Sequence, residues 1–119
     1  MYQIRRHVSF HFRILGLSLP KVELFKRDVK SAKRIRIARL RDDPKVSTLN
    51  FPLRKRTRYD DLIQFLKAHK IRKSSYGIWI SIASNHDTGG IHVPPYILRL
   101  YEKTGGDLDF SYTWLRDEE

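Results

Sequence analysis

The chain has 119 residues and a formal net charge of +11, from 24 Lys and Arg against 13 Asp and Glu. Its 40% hydrophobic and 12% aromatic content excludes a disordered segment and suits one domain, 1–119, with a core that needs no metal or disulfide staple. The lack of cysteine excludes a disulfide framework, a Cys-type zinc site and thiol catalysis.

Val8, Phe10, Phe12 and Ile14 alternate with His7, Ser9, His11 and Arg13, which predicts a half-buried strand over Arg5–Leu15 ended by Gly16. Ser18 as N-cap and Pro20 in the first turn then open a helix with the stripe Val22, Phe25 and Val29. Between Arg34 and Leu40, Ile35 and Ile37 alternate with arginines while Ala38 and Leu40 shift the phase. The segment reads as a strand to about Leu40, followed by a turn at Asp42-Asp43-Pro44 and a returning strand from Val46 to Phe51. Thr57 with Asp60 resembles a capping box, and it starts a helix with Leu62, Phe65, Leu66 and His69 on one stripe. Gly77–Ala83, with mostly apolar residues on both faces, reads as a central strand of a sheet covered on both sides. Asn85–Gly90 is expected to be a loop. Pro94-Pro95 opens a third helix with Ile97, Leu100 and Tyr101 inward, and Gly105-Gly106 stops it. The last strand, Asp107–Trp114, sets Leu108, Phe110, Tyr112 and Trp114 on an apolar face, before an acidic tail (115–119) expected to fray.

The predicted order is β-α-β-β-α-β-α-β. It implies an α+β fold in which a mostly antiparallel sheet of about five strands packs against three helices, the first six elements in ferredoxin-like order.

The charge is unevenly spread. Eighteen Lys and Arg lie between Lys21 and Lys73 against six acids, whereas Ser74–Glu119 holds three bases and seven acids. Such a field attracts a polyanion or an acidic protein. From 34 to 58, seven arginines outnumber two lysines, which suits directional contacts to phosphate or carboxylate. The candidate partner-binding residues are therefore Arg34, Arg36, Arg39, Arg54, Lys55, Arg56 and Arg58. Only Phe51 and Tyr59 flank these clusters as stacking candidates, the other aromatics reading as core.

No residues are expected to be catalytic. His7 and His11 share a strand face about 13 Å apart, too far to act on one phosphate. His86, Asp87 and His92 lack metal-ligand spacing, Asp107 and Asp109 read as a solvated strand face, and the Gly pairs fit no phosphate-binding fingerprint. No metal or cofactor is implied. No apolar run approaches the roughly 18 residues of a membrane span. The alternating N-terminus is unlike a signal peptide, so no membrane partner is expected and the expected compartment is the cytoplasm.

The run Gly90-Ile91-His92-Val93-Pro94, a helix, and Gly105-Gly106-Asp107-Leu108-Asp109-Phe110, together with the opening Phe12-Arg13-Ile14-Leu15-Gly16, resembles a small bacterial domain family of unknown function. The resemblance covers about half the chain, mainly its C-terminal part, and rests on packing and turn residues. It implies a compact α+β fold and carries over no catalytic residue. In place of the family's middle section, a Pro, a Gly-containing loop and a Trp-rich strand, stand Lys33–Arg41 and Arg54–Arg58. By type, such a protein looks like the immunity or inhibitor protein of a bacterial toxin. The sequence thus points to a non-enzymatic module that binds an acidic protein, with a nucleic-acid-binding domain using the same cations as the alternative.

Overall fold

Alternation along the N-terminal segment produces a strand longer than expected, β1 (Arg6–Ser18), in a computed structural model that describes residues 5–85 and 91–116. Gly16 does not end it. At φ +71°, Gly16 absorbs a β-bulge that shifts the register with the neighbouring strand between Ile14 and Leu17 and returns Leu17 to the core.

The remaining strands are β2 (Arg36–Arg39), β3 (Val46–Pro52), β4 (Tyr76–Ser84) and β5 (Asp107–Trp114). They form one sheet in the order β2-β3-β1-β4-β5. The first four pair antiparallel, and β5 joins β4 in parallel. The β2–β3 hairpin closes through Val46 N–H donating to Asp43 C=O and Leu40 N–H donating to Val46 C=O, so the expected acidic turn is present. The elements β1-α1-β2-β3-α2-β4 have the ferredoxin-like order and pairing, and α3 and β5 extend the sheet by one parallel strand.

The three helices, α1 (Leu19–Asp28), α2 (Asp60–Ala68) and α3 (Pro95–Thr104), follow their stripes. Ser18 and Pro20 open α1 as expected, and Gly105 at φ +64° closes α3. The capping box at Thr57 does not form: Thr57 N–H is turned back onto Arg54 C=O, and Tyr59 stands at the N-cap. Asp61 serves the helix start instead. Its carboxylate accepts the Ser31 N–H at 2.9 Å, the Ser31 hydroxyl and the Leu62 N–H at 2.8 Å, tying the segment after α1 to α2.

Phe12, Ile14, Leu49, Phe51, Ile78 and Ile80 meet Val22, Phe25, Leu62, Phe65, Ile97 and Leu100 in one core. Phe12 packs against Phe51 and Tyr76 (ring centroids 5.7 Å in each case), and Phe25 sets its edge on Phe65 at 5.1 Å. All the strand residues of this core point to the same side of the sheet, so the helices cover one face only.

Two expectations are corrected here. β4 is buried on its core side, while Trp79, Ser81 and Ala83 lie half-buried on an open face. The apolar row of β5 is not core either: Phe110, Tyr112 and Trp114 are 57%, 50% and 55% exposed, because β5 is an edge strand beyond the reach of the helix layer. The segment 86–90, including His86, Asp87 and the Gly89-Gly90 pair, and the tail residues Asp117–Glu119 lie outside the described residues.

Candidate functional site

Strand pairing decides which cations share the open face. Arg36 of β2 stands opposite Asn50 of β3, which stands opposite Arg13 of β1. One pleat along, His11 lies between Pro52 of β3 and Trp79 of β4. Directly opposed residues put their Cβ atoms about 4.5–5.5 Å apart on one face. Two basic residues of the central strand and one of the edge strand are thereby set around a single indole.

His11, Arg36, Asn50, Pro52 and Trp79 line a hollow of ≈ 440 Å³ together with Arg34 and Ser81. The Arg13 guanidinium carbon lies 3.9 Å from the Trp79 ring centroid, a cation–π contact that holds the cation flat on the indole. The His11 ring centroid is 6.4 Å from that of Trp79, and its Nδ1 is buried without a hydrogen-bond partner. Burial, then the neighbouring Arg36 and Arg13, push the His11 pKa below its ordinary value. His11 therefore sits neutral among cations. Arg34 holds φ +54°, a left-handed conformation that costs a non-glycine residue roughly 1–2 kcal/mol. A backbone strain of this kind beside a polar hollow is characteristic of binding sites.

The face is electrically polarised. Arg13, Arg34 and Arg36 occupy the β1–β3–β2 half, whereas Asp107 and Asp109 of β5 stand opposite Gly77 and Trp79 at the far edge. An anion is drawn to one half and repelled from the other.

The sequence-predicted cations divide. Arg34 and Arg36 are brought together with each other. Arg39 is not, because it stands opposite Ser47, on the helix side of the sheet. Lys55, Arg56 and Arg58 line a second hollow against α2 and α3, which shares no lining residue with the first. Arg54 lines neither, and its backbone N–H donates to the Tyr59 hydroxyl at 2.8 Å. Arg13, His11 and Trp79 were missed as site residues. The available signal was the polar alternate set of β1, once that strand is known to be central. Among the described residues no group of three or more His, Asp or Glu is placed to hold a metal ion, and no helix is long and apolar enough to cross a membrane.

The depressed His11 pKa has a thermodynamic consequence. As pH falls below about 6.5, the unfolded chain takes up a proton that folded His11 resists, so stability declines across that range and levels once the folded imidazole also protonates. His11→Gln is expected to flatten this part of the profile in urea unfolding at pH 7.5, 6.5 and 5.5. An identical slope in the variant would show that His11 is not the group responsible.

Comparison of the chain with models of protein families, with curated proteins and with solved structures yields no match. The molecule is thus defined by its own geometry: a two-layer α+β protein with one bare, half-basic sheet face.

Proposed function

We propose that the protein is a non-enzymatic binding module whose open sheet face engages single-stranded nucleic acid. The observation that carries this reading is Trp79, capped by Arg13 and bordered by Arg36, Arg34 and His11 on an uncovered sheet. Single-strand binding needs cations that track the backbone and a flat surface on which a base can stack. Trp79 with its guanidinium cover provides the second, which the basic clusters alone lacked. The open sheet admits an extended strand because no helix among the described residues stands over it.

Binding of short labelled RNA and DNA oligonucleotides is to be followed by fluorescence anisotropy across a salt series. With about three phosphates neutralised, the log–log salt slope is expected near −2. Trp79→Ala is expected to weaken binding by about 5- to 150-fold, the worth of one stacked base, with the far-UV spectrum unchanged. Affinity that survives Trp79→Ala, or that shows no salt dependence, contradicts the proposal.

A second reading, an immunity-type inhibitor that docks on another protein, is favoured by the exposed aromatic row Phe110, Tyr112 and Trp114 on the edge strand β5. Edge strands with alternate apolar side chains are how proteins add a strand from a partner. Weak oligonucleotide binding together with stable co-purification of one protein, lost on Tyr112→Lys, would support this reading instead.

A further inference from the structure

The second hollow, ≈ 350 Å³, lies between the segment 55–60, α2 and α3, and the open-face reading does not use it. Its floor is aromatic and apolar. Tyr59 and Leu100 are buried there, and Ile63 and Tyr96 are half-buried. Its rim is cationic: Lys55, Arg56 and Arg58 come from the loop before α2, Arg99 and Lys103 from α3. Arg58 is neutralised by Asp60 at 3.2 Å. No carboxylate lies within ion-pair distance of the other four among the described residues. Four like charges on two elements repel one another across the mouth of this hollow, and an anion seated there would relieve that repulsion.

We propose that this pocket binds a nucleoside polyphosphate, its base against Tyr59 and Tyr96 and its phosphates among Lys55, Arg56, Arg99 and Lys103. The floor selects a ligand with a flat ring, since aromatic side chains with nearby cations stack bases without regard to sequence. The rim selects more than one phosphate, because a phosphate monoester brings only about −1.5 to −2 charges at neutral pH against four unpaired cations. The volume falls in the range of small-molecule sites, roughly 300–1,000 Å³. A single hollow with one aromatic floor holds one base, which separates it from the sheet face, where an extended strand can run. Two arginines of the rim offer forked contacts to phosphate oxygens, and the lysines add point charge.

Isothermal titration of the full chain with ATP, adenosine and tripolyphosphate tests this directly on the unaltered protein. ATP is expected to bind about tenfold or more tighter than either fragment, since the base and phosphate contacts act together. Arg99→Glu combined with Lys103→Glu, both exposed, is expected to weaken ATP by about tenfold or more. Tyr96→Ala is expected to weaken ATP by about tenfold while leaving tripolyphosphate unchanged. Trp79→Ala should leave ATP binding intact, and saturating ATP should leave labelled RNA bound, so failure here is distinguishable from failure of the sheet-face reading. Near-UV circular dichroism checks that each variant is folded. Tripolyphosphate binding as tightly as ATP would reduce the pocket to a charge cluster and overturn the proposal. Displacement of RNA by ATP, or no heat with ATP at millimolar concentration, would also overturn it.

Discussion

Arg13→Glu combined with Arg36→Glu is expected to lower oligonucleotide affinity by about a hundredfold or more, because two charge-assisted contacts worth about 1.5–3 kcal/mol each are lost and replaced by repulsion. The two side chains flank Asn50 in one cross-strand row, so a strand crossing the hollow meets both. The fold should persist. Arg36 is exposed on a sheet edge, and Arg13 is on the uncovered face, where its contact to Trp79 contributes about 0.5–1 kcal/mol. The salt slope should fall toward zero along with the affinity, whereas a folded double variant retaining both would remove the basis for placing the ligand on this face. Arg39→Glu is the matched control. It changes a charge on the same strand but on the other side, and it should cost much less beyond the general field.

Gly77→Ala is expected to be strongly destabilising, far more so than Gly16→Ala. A Cβ at Gly77 would lie 2.2 Å from the Asp107 carbonyl oxygen and 2.9 Å from the Asp107 nitrogen, so β4 and β5 would have to part where their parallel pairing begins. Forced overpacking costs about 1–3 kcal/mol and occasionally more, and here the obstacle is backbone, which yields less than a side-chain tip. That is a large share of the roughly 5–15 kcal/mol that holds a domain folded. Gly16→Ala should be milder, since its Cβ would meet only Val46 Cγ1 at 3.8 Å and the cost is that of the positive φ. Urea midpoints of the two variants give the order directly, and faster amide exchange in β5 of Gly77→Ala would locate the damage. A Gly77→Ala midpoint equal to that of the unaltered chain would show that the β4–β5 pairing tolerates a Cβ at this point.

Much of the fold was legible because its signals are local. The period of two over Val8–Ile14, the stripes Val22–Phe25 and Leu62–Phe65–Leu66, and the punctuation by Pro94-Pro95 and Gly105 each act within a few residues. The errors fell where the outcome depends on pairing or on competition. Gly16 reads as a stop, yet paired to β3 it is a bulge. Thr57 has the composition of an N-cap, but a turn onto Arg54 claims its N–H first. For Arg36 and Arg39, a period of two already implied opposite faces. The predicted cations accordingly divide at that point, and again at Arg56 and Arg58, which the chain carries round to the helix layer.

The sequence by itself determined the element order, the α+β class and an excess of positive charge in the middle of the chain, since these follow from composition and from repeats no longer than one helical turn. Only the tertiary structure decided which faces stay uncovered. The three helices, 10, 9 and 10 residues long, cover one side of β3, β1 and β4 and leave the edge strands β2 and β5 exposed. Trp79, apolar and central, and Phe110, apolar and alternating, therefore read as core but lie outside the helix cover, Trp79 on the open face and Phe110 on the edge strand β5. Burial is a property of what lies opposite a side chain, and register brings His11, Arg13 and Trp79 together from residues more than sixty positions apart.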